Sequence, residues 1–271
     1  MTEGTKMSTV NEKKILDELD LSGFSLEIDV LNCLIKNGWF VYPQYVYVDE
    51  QTNKLRTVDI VASPYGLIFD KFAKVIIECK SSKKKPWVFF APVSDKKSVL
   101  HTPLGEPFLG AALQMTFSIG KQQGLLKKKK DVEMIPIEVA TRFEKSHFFN
   151  SGAPLAFSYH IVGKKSSEDS IDDLREGIYQ INGALHSRYF PRNNVVFLAL
   201  VFGGEMYSID TNKRLLPINH VIFFNSMYHD ENSPYTPALI DIVRADYFEK
   251  YLDILKNDAE ILVPEKKPAS A

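Results

Sequence analysis

Three short stretches place charged side chains where they could do chemistry. In "KVIIECK" (74–80) an apolar run ends in Glu78 and Lys80, which the two-residue period of a strand sends to the same face. In "LRTVDIVAS" (55–63) a single carboxylate, Asp59, sits between Val58 and Ile60, and Glu27 borders the apolar stripe of a helical segment. Carboxylates pressed together repel and compete for protons unless a cation lies between them. Mg²⁺ suits such a place, since it takes oxygen ligands and is commonly held by one or two carboxylates plus phosphates. Asp59, Glu78 and the backbone carbonyl of Cys79 therefore read as half a metal shell, with Glu27 reaching its rim. Lys80 adds an ammonium that can orient an attacking water and offset charge developing on a phosphoryl group. A phosphodiester is the substrate such a pocket suits.

Taken singly, a Glu-x-Lys at a strand end is an ordinary solvated ion pair, and Glu27 is ordinary helix surface. Exposed pairs contribute too little stability to account for a carboxylate set inside an aliphatic run, so the combination carries the reading.

These residues need elements to hold them. "SLEIDVLNCLIKN" (25–37) repeats Leu26, Val30 and Leu34 at helical spacing and is stopped by Gly38, after a short helical lead-in over 15–21. "WFVYPQYVYV" (39–48) predicts a strand in which Pro43 demands an edge position or a bulge. The segments 55–63 and 74–80 follow as second and third strands. Beyond them the sequence predicts an irregular stretch over 81–107, a helix over 108–126, and strands over 132–140 and 153–163. A helix opens near Ser170, with Asp173 completing a capping box. A near-continuous apolar strand spans 193–202 and strands follow at "GEMYSID" and "HVIFFNSMY". A last strand then runs into a helix capped by Asp246, with Glu249 at its third position.

The set formed by Glu27, "TVDIVA" with Asp59, and "IIECKSS" with Glu78 and Lys80 resembles the restriction-endonuclease-like nucleases, the superfamily marked by a (P)D…(D/E)-x-K signature. The resemblance covers residues 20–140, and Val58 stands where the name-giving proline would be. It implies an α/β fold with an α-β-β-β-α-β core, a mixed central sheet and, here, a C-terminal elaboration. It also implies that Asp59, Glu78, Lys80 and Glu27 take the roles of motif aspartate, acidic partner, lysine and first-helix glutamate. The implied activity is divalent-metal-dependent hydrolysis of nucleic-acid phosphodiesters, DNA more often than RNA, in restriction, repair or defence. Mg²⁺ is the expected cofactor, with Mn²⁺ as a substitute, and dimerisation or a partner subunit is a common though not general trait. Two other readings stay open: an RNA-directed nuclease, and a non-catalytic nucleic-acid-binding or assembly subunit of the same fold.

Composition agrees with a folded chain and narrows little else. The 271 residues are 45% hydrophobic and 25% charged, with a formal net charge of -1. Lys83 to Lys85 and Lys127 to Lys130 form basic runs, read either as solvated loops or as phosphate contacts, and acidic residues crowd the last quarter, among them Asp241 and Asp258. Two cysteines make no disulfide framework, the six histidines show no metal-site spacing, and no apolar run spans a bilayer. The sequence therefore predicts a cytoplasmic protein without a membrane partner. It is read as one elaborated α/β domain over 15–260 between flexible tails at 1–14 and 261–271.

Overall fold

The computed structural model describes residues 12–49, 52–64, 73–82, 85–92, 96, 127–129, 132–134, 142, 145–163, 172–187, 195–225 and 238–262. The helix expected over 108–126, the greater part of the strand expected over 132–140, and most of both tails lie outside these residues.

The chain opens with helices α1 (Glu12–Ser22) and α2 (Phe24–Lys36), then strands β1 (Trp39–Asp49), β2 (Lys54–Pro64) and β3 (Ala73–Lys80). Gly38, at φ 75°, takes the left-handed conformation that ends α2, as its lack of a Cβ permits. A short strand β4 (Trp87–Phe90) falls inside the stretch expected to be irregular. Prolines on both sides hide it in the sequence, but Trp87 and Phe89 are fully buried. The lysine run joins a two-stranded ribbon, β5 (Lys127–Lys129) against β6 (Val132–Met134).

After the one-turn helix α3 (His147–Asn150), the strand expected over 153–163 divides into β7 (Leu155–Ala156) and β8 (Ser158–Ile161), which belong to different sheets. Helix α4 (Asp173–His186) is capped by Asp172, whose carboxylate accepts the Arg175 N–H at 2.8 Å. The cap is therefore one residue before Asp173, and Ser170 lies outside the described residues. Strands β9 (Val195–Phe202), β10 (Met206–Ile209), β11 (Leu215–Pro217), β12 (His220–Asn225) and β13 (Ala238–Arg244) follow. A 3-10 turn (Ala245–Tyr247) and helix α5 (Phe248–Leu262) complete the chain. Asp246 lies in that turn, paired with Arg244, and Glu249 binds Lys36 at 3.2 Å, so neither serves as the expected cap.

This is an α/β fold with a mixed central sheet flanked by helices. Seven strands run in the order β1-β2-β3-β9-β13-β12-β7, with β1, β2 and β3 antiparallel and β3, β9 and β13 parallel. Strand β9 lies at the middle and all eight of its residues are buried, which explains its unbroken apolar sequence. One face packs on α2 and α5 through Leu26, Val30, Leu34, Tyr251, Leu252 and Leu255. The other packs on α4 and on a second sheet of order β11-β10-β4-β8, through Leu174, Ile178, Ile181, Trp87 and Met206. Among the described residues no helix is long and apolar enough to cross a membrane.

The β1–β2 ribbon changes face part-way along. Trp39 and Val41 pack with α2, whereas Tyr45 and Tyr47 pack with α4, although a regular strand would keep all four on one side. Opposite them, Ile60 and Ala62 face α2 while Val58 faces α4. The reversal coincides with Gln44, whose φ of 48° is left-handed, and the register of the ribbon places Gln44 across from Asp59. Pro43 precedes it on the outer edge of the sheet, as a proline in a strand requires.

Candidate functional site

The pairing of β2 with β3 ends at Ile60 and Ile77, one step before Asp59 and Glu78. Beyond that point carboxylates take over as hydrogen-bond acceptors. The Asp59 N–H donates to Glu78 Oε2 at 3.3 Å, and the Cys79 N–H donates to Asp59 Oδ2 at 2.8 Å. Glu78, 1% exposed, lies on the same side of β3 as Lys80, whose Nζ approaches Glu78 Oε1 to 3.0 Å. What the structure records for Cys79 is this N–H contact with Asp59, beside a thiol that burial pushes well above its ordinary range.

Glu27 joins from the first turn of α2. Its Oε2 accepts a hydrogen bond of 2.9 Å from Gln44 Nε2, and Gln44 stands across from Asp59 in the β1–β2 register. Because the ribbon changes face here, Glu27 on the α2 side and Glu78 with Lys80 on the α4 side flank one half-buried carboxylate, Asp59. Asp59 thus contacts Glu78, and Glu78 contacts Lys80, while Glu27 reaches this group by way of Gln44.

Helix α4 supplies contacts that the sequence did not signal. Lys80 Nζ donates to Gln180 Oε1 at 3.1 Å and lies 3.9 Å from Glu176 Oε2. Glu176 and Gln180 are one turn apart beside the apolar stripe, so periodicity marked them only as solvent-facing flank. Gly177 lets the helix come this close, since a Cβ there would stand 2.7 Å from Leu200 Cδ1 and 3.3 Å from Lys80 Cε. A hydrogen bond of 2.7 Å from Tyr179 to the buried Asp49 ties the helix to the β1–β2 ribbon, and Asp49 is charge-paired with Arg56 at 2.8 Å.

The electrostatics are those of a carboxylate group short of positive charge. Burial, then the neighbouring Asp59, pushes Glu78 up to about 8 against the pull of Lys80. Burial also raises Asp59, offset in part by the Cys79 N–H, Lys80 and Gln44. Glu27 is raised by burial and then by Asp59. Burial alone would lower Lys80, but Glu78, Glu176 and Asp59 together hold it above its ordinary value. Three carboxylates whose mutual repulsion and burial resist ionisation fit a divalent cation, which would restore them to the charged form.

The site stands at the carboxyl end of β3, where the parallel strands β9 and β13 also end. Loops at this end of parallel strands commonly form ligand sites. The Gly203 N–H donates to the Lys80 carbonyl at 2.9 Å, and a cleft of about 340 Å³ lined by Phe202, Gly203, Gly204, Arg244 and Asp246 opens alongside. Trp87 stacks on Phe202 with ring centroids 3.7 Å apart and so closes the apolar side. Of the trailing lysines, Lys85 is exposed, and Lys83 and Lys84 lie outside the described residues.

A second group of possible metal ligands is one the sequence did not reveal. His147, His220 and Asp241 are buried, with ligand atoms within 4.8 Å of one another. Such a set can hold a divalent metal ion, a feature consistent with a metal-dependent hydrolase. Asp241 accepts from His147 Nε2 at 2.9 Å, from His220 Nε2 at 2.8 Å and from Tyr251 at 2.8 Å, and Asp258 binds His147 Nδ1 from the other side. Asp241 and Asp258, two of the acidic residues that crowd the last quarter, are 0% and 1% exposed. Burial disfavours the charge on His147, but the two carboxylates outweigh it and raise the ring to about 9. The histidines hold Asp241 well below the usual carboxylate range. Asp241 shares the α2–α5 face with Ile222 and Ala199, whereas Glu78 pairs in register with Leu200 on the α4 face, so no single ion serves both groups.

Compared with protein-family models, with curated proteins and with solved structures, the chain has no match in any of the three.

Proposed function

We propose that this protein is a divalent-metal-dependent nuclease that hydrolyses phosphodiester bonds of DNA, with a restriction-endonuclease-like core and a role in restriction, repair or defence in the cytoplasm. The observation that carries the reading is the contact of Asp59, Glu78 and Lys80 at the end of β3, with Glu27 tied through Gln44 to the strand opposite Asp59. The succession α2, β1, β2, β3, then α4 and β9 packed against β3, supports an α-β-β-β-α-β core within one domain over 15–260.

Asp59 and Glu78, with Glu27 and the Cys79 carbonyl at the rim, are the residues that would hold Mg²⁺ or Mn²⁺. Such an ion, when bound, supplies Lewis-acid polarisation of a phosphoryl oxygen. The chain itself does the rest. Lys80, fixed between Glu78, Gln180 and Glu176, presents an ammonium that orients the attacking water and offsets charge on the phosphoryl oxygens. Glu27, half-buried at the opposite rim, can accept a proton from that water. The neighbouring cleft and the exposed Lys85 give a backbone room and a cation to follow, contacts that respond to salt and do not read sequence.

The test is incubation with supercoiled, linear and single-stranded DNA and with RNA, with Mg²⁺, with Mn²⁺ or with chelator, beside Asp59→Ala and Lys80→Ala. Metal-dependent cleavage of DNA that disappears in both variants is the expected result. Cleavage that survives both substitutions overturns the site. Preference for RNA would favour the RNA-directed reading, and binding without cleavage would favour a non-catalytic subunit.

A further inference from the structure

The proposed site contains a residue whose backbone is held in a conformation its type disfavours. Gln44 has φ 48° in the middle of an eleven-residue strand, next to Pro43 and across from Asp59. A left-handed glutamine costs free energy that glycine would not, and such outliers persist where the surrounding structure holds them for a purpose. What the conformation achieves is visible in the side chain. Its amide donates to Glu27 at 2.9 Å, which ties α2 to β1 at the position across from Asp59.

We propose that Gln44 is the positioning residue of the metal pocket: its amide holds Glu27 of α2 at the point of β1 that faces Asp59 of β2, so that both carboxylates are aimed at one cation before it arrives. This rests on the reading of Asp59 and Glu78 as metal ligands. The hydrogen bond fixes the Glu27 side chain in one place instead of leaving it free on the helix surface. Partners that orient metal-binding carboxylates cost about 10–100-fold in affinity when removed.

The experiment is Mn²⁺ titration of the full chain by calorimetry, without nucleic acid, for wild type, Gln44→Gly, Gln44→Asn, Glu27→Gln, the Gln44→Gly/Glu27→Gln double variant and Asp59→Asn, with thermal melts of each metal-free protein. Gln44→Gly removes the amide and also relieves the left-handed strain. The expected result is Mn²⁺ affinity lowered about tenfold with a melting temperature equal to or above wild type. A merely structural residue would give the reverse pattern. The double variant is expected to bind no more weakly than the weaker single variant, because both substitutions cut the same link. Gln44→Asn, which keeps an amide and tolerates the backbone, is expected to recover part of the affinity. Wild-type affinity in Gln44→Gly would overturn the positioning role while leaving the site standing. Absence of Mn²⁺ binding by wild type, or binding undiminished in Asp59→Asn, would overturn the site itself and the role of Gln44 with it.

Discussion

The backbone N–H of Asp59 donates to Glu78 Oε2 at 3.3 Å, so two carboxylate residues 19 positions apart in the chain are joined where the strand ladder between them gives out. Strand pairing brings the residues together, and where it stops their carboxylates accept the Asp59 and Cys79 N–H groups in place of backbone carbonyls. The same interruption coincides with the change of face in β1, which admits Glu27 from one layer and Lys80 from the other.

Lys80→Met is expected to lower the rate of metal-dependent DNA cleavage by about 10²–10⁴-fold, the usual contribution of a positioned charge or proton-transfer group. Mn²⁺ binding should persist, because the carboxylates remain. Single-turnover cleavage and calorimetry on one preparation check both halves of this outcome.

The pH dependence has a defined sign. Glu78 titrates at about 8 in the folded chain, above the ordinary 4.5, so between these values the folded state holds a proton the unfolded state has lost. Its stabilising contribution to the metal-free protein is complete below 4.5 and is lost as pH rises through about 8. Cation binding demands the ionised form. Mn²⁺ affinity should therefore rise about tenfold per pH unit up to about 8 and level off above it, with proton release seen as a buffer-dependent binding enthalpy.

Gly177→Ala should disturb the site without replacing a charged residue. Its methyl would meet Leu200 Cδ1 at 2.7 Å, Lys80 Cε at 3.3 Å and Glu78 Cγ at 3.4 Å, so the buried Leu200 side chain or α4 must shift and the Lys80 and Glu78 side chains with it. A loss of about 1–3 kcal/mol in urea unfolding is expected from such overpacking. Cleavage should fall further than the stability loss explains, because Gln180 and Glu176 leave Lys80.

Asp241→Asn addresses the other buried group. Removing a charge that accepts from His147, His220 and Tyr251 leaves the His147 cation without one of its two carboxylates. The expected cost is about 3–5 kcal/mol of stability. Mn²⁺ affinity at Asp59 and Glu78 should be unchanged at temperatures where the variant is folded, since the two groups occupy opposite faces of the sheet. Loss of that affinity in a folded Asp241→Asn protein would show that they are coupled.

The elements that carry a local period were readable from the chain. Leu26, Val30 and Leu34 marked α2, the unbroken apolar run marked β9, and Pro43 marked an edge strand with an irregularity. Alternation alone placed Glu78 and Lys80 on one side of β3, and the lone Asp59 among aliphatics marked its partner. These are properties of three to ten consecutive residues, so no distant contact is needed to specify them.

What depended on long-range closure could not be read in this way. Trp87 and Phe89 form a strand only because a second sheet exists to receive them. His147 and Asp241, 94 residues apart, became neighbours only through the order of β12 and β13 under α5. Glu176, Gln180 and Gln44 were ordinary polar residues until α4 settled on β3 and the ribbon reversed at Asp59. The sequence alone determined that Glu78 and Lys80 share one side of a strand, because strand geometry is local. Tertiary structure decided what surrounds them, because burial, and with it the strength of every charge in the site, is set by segments from the rest of the chain.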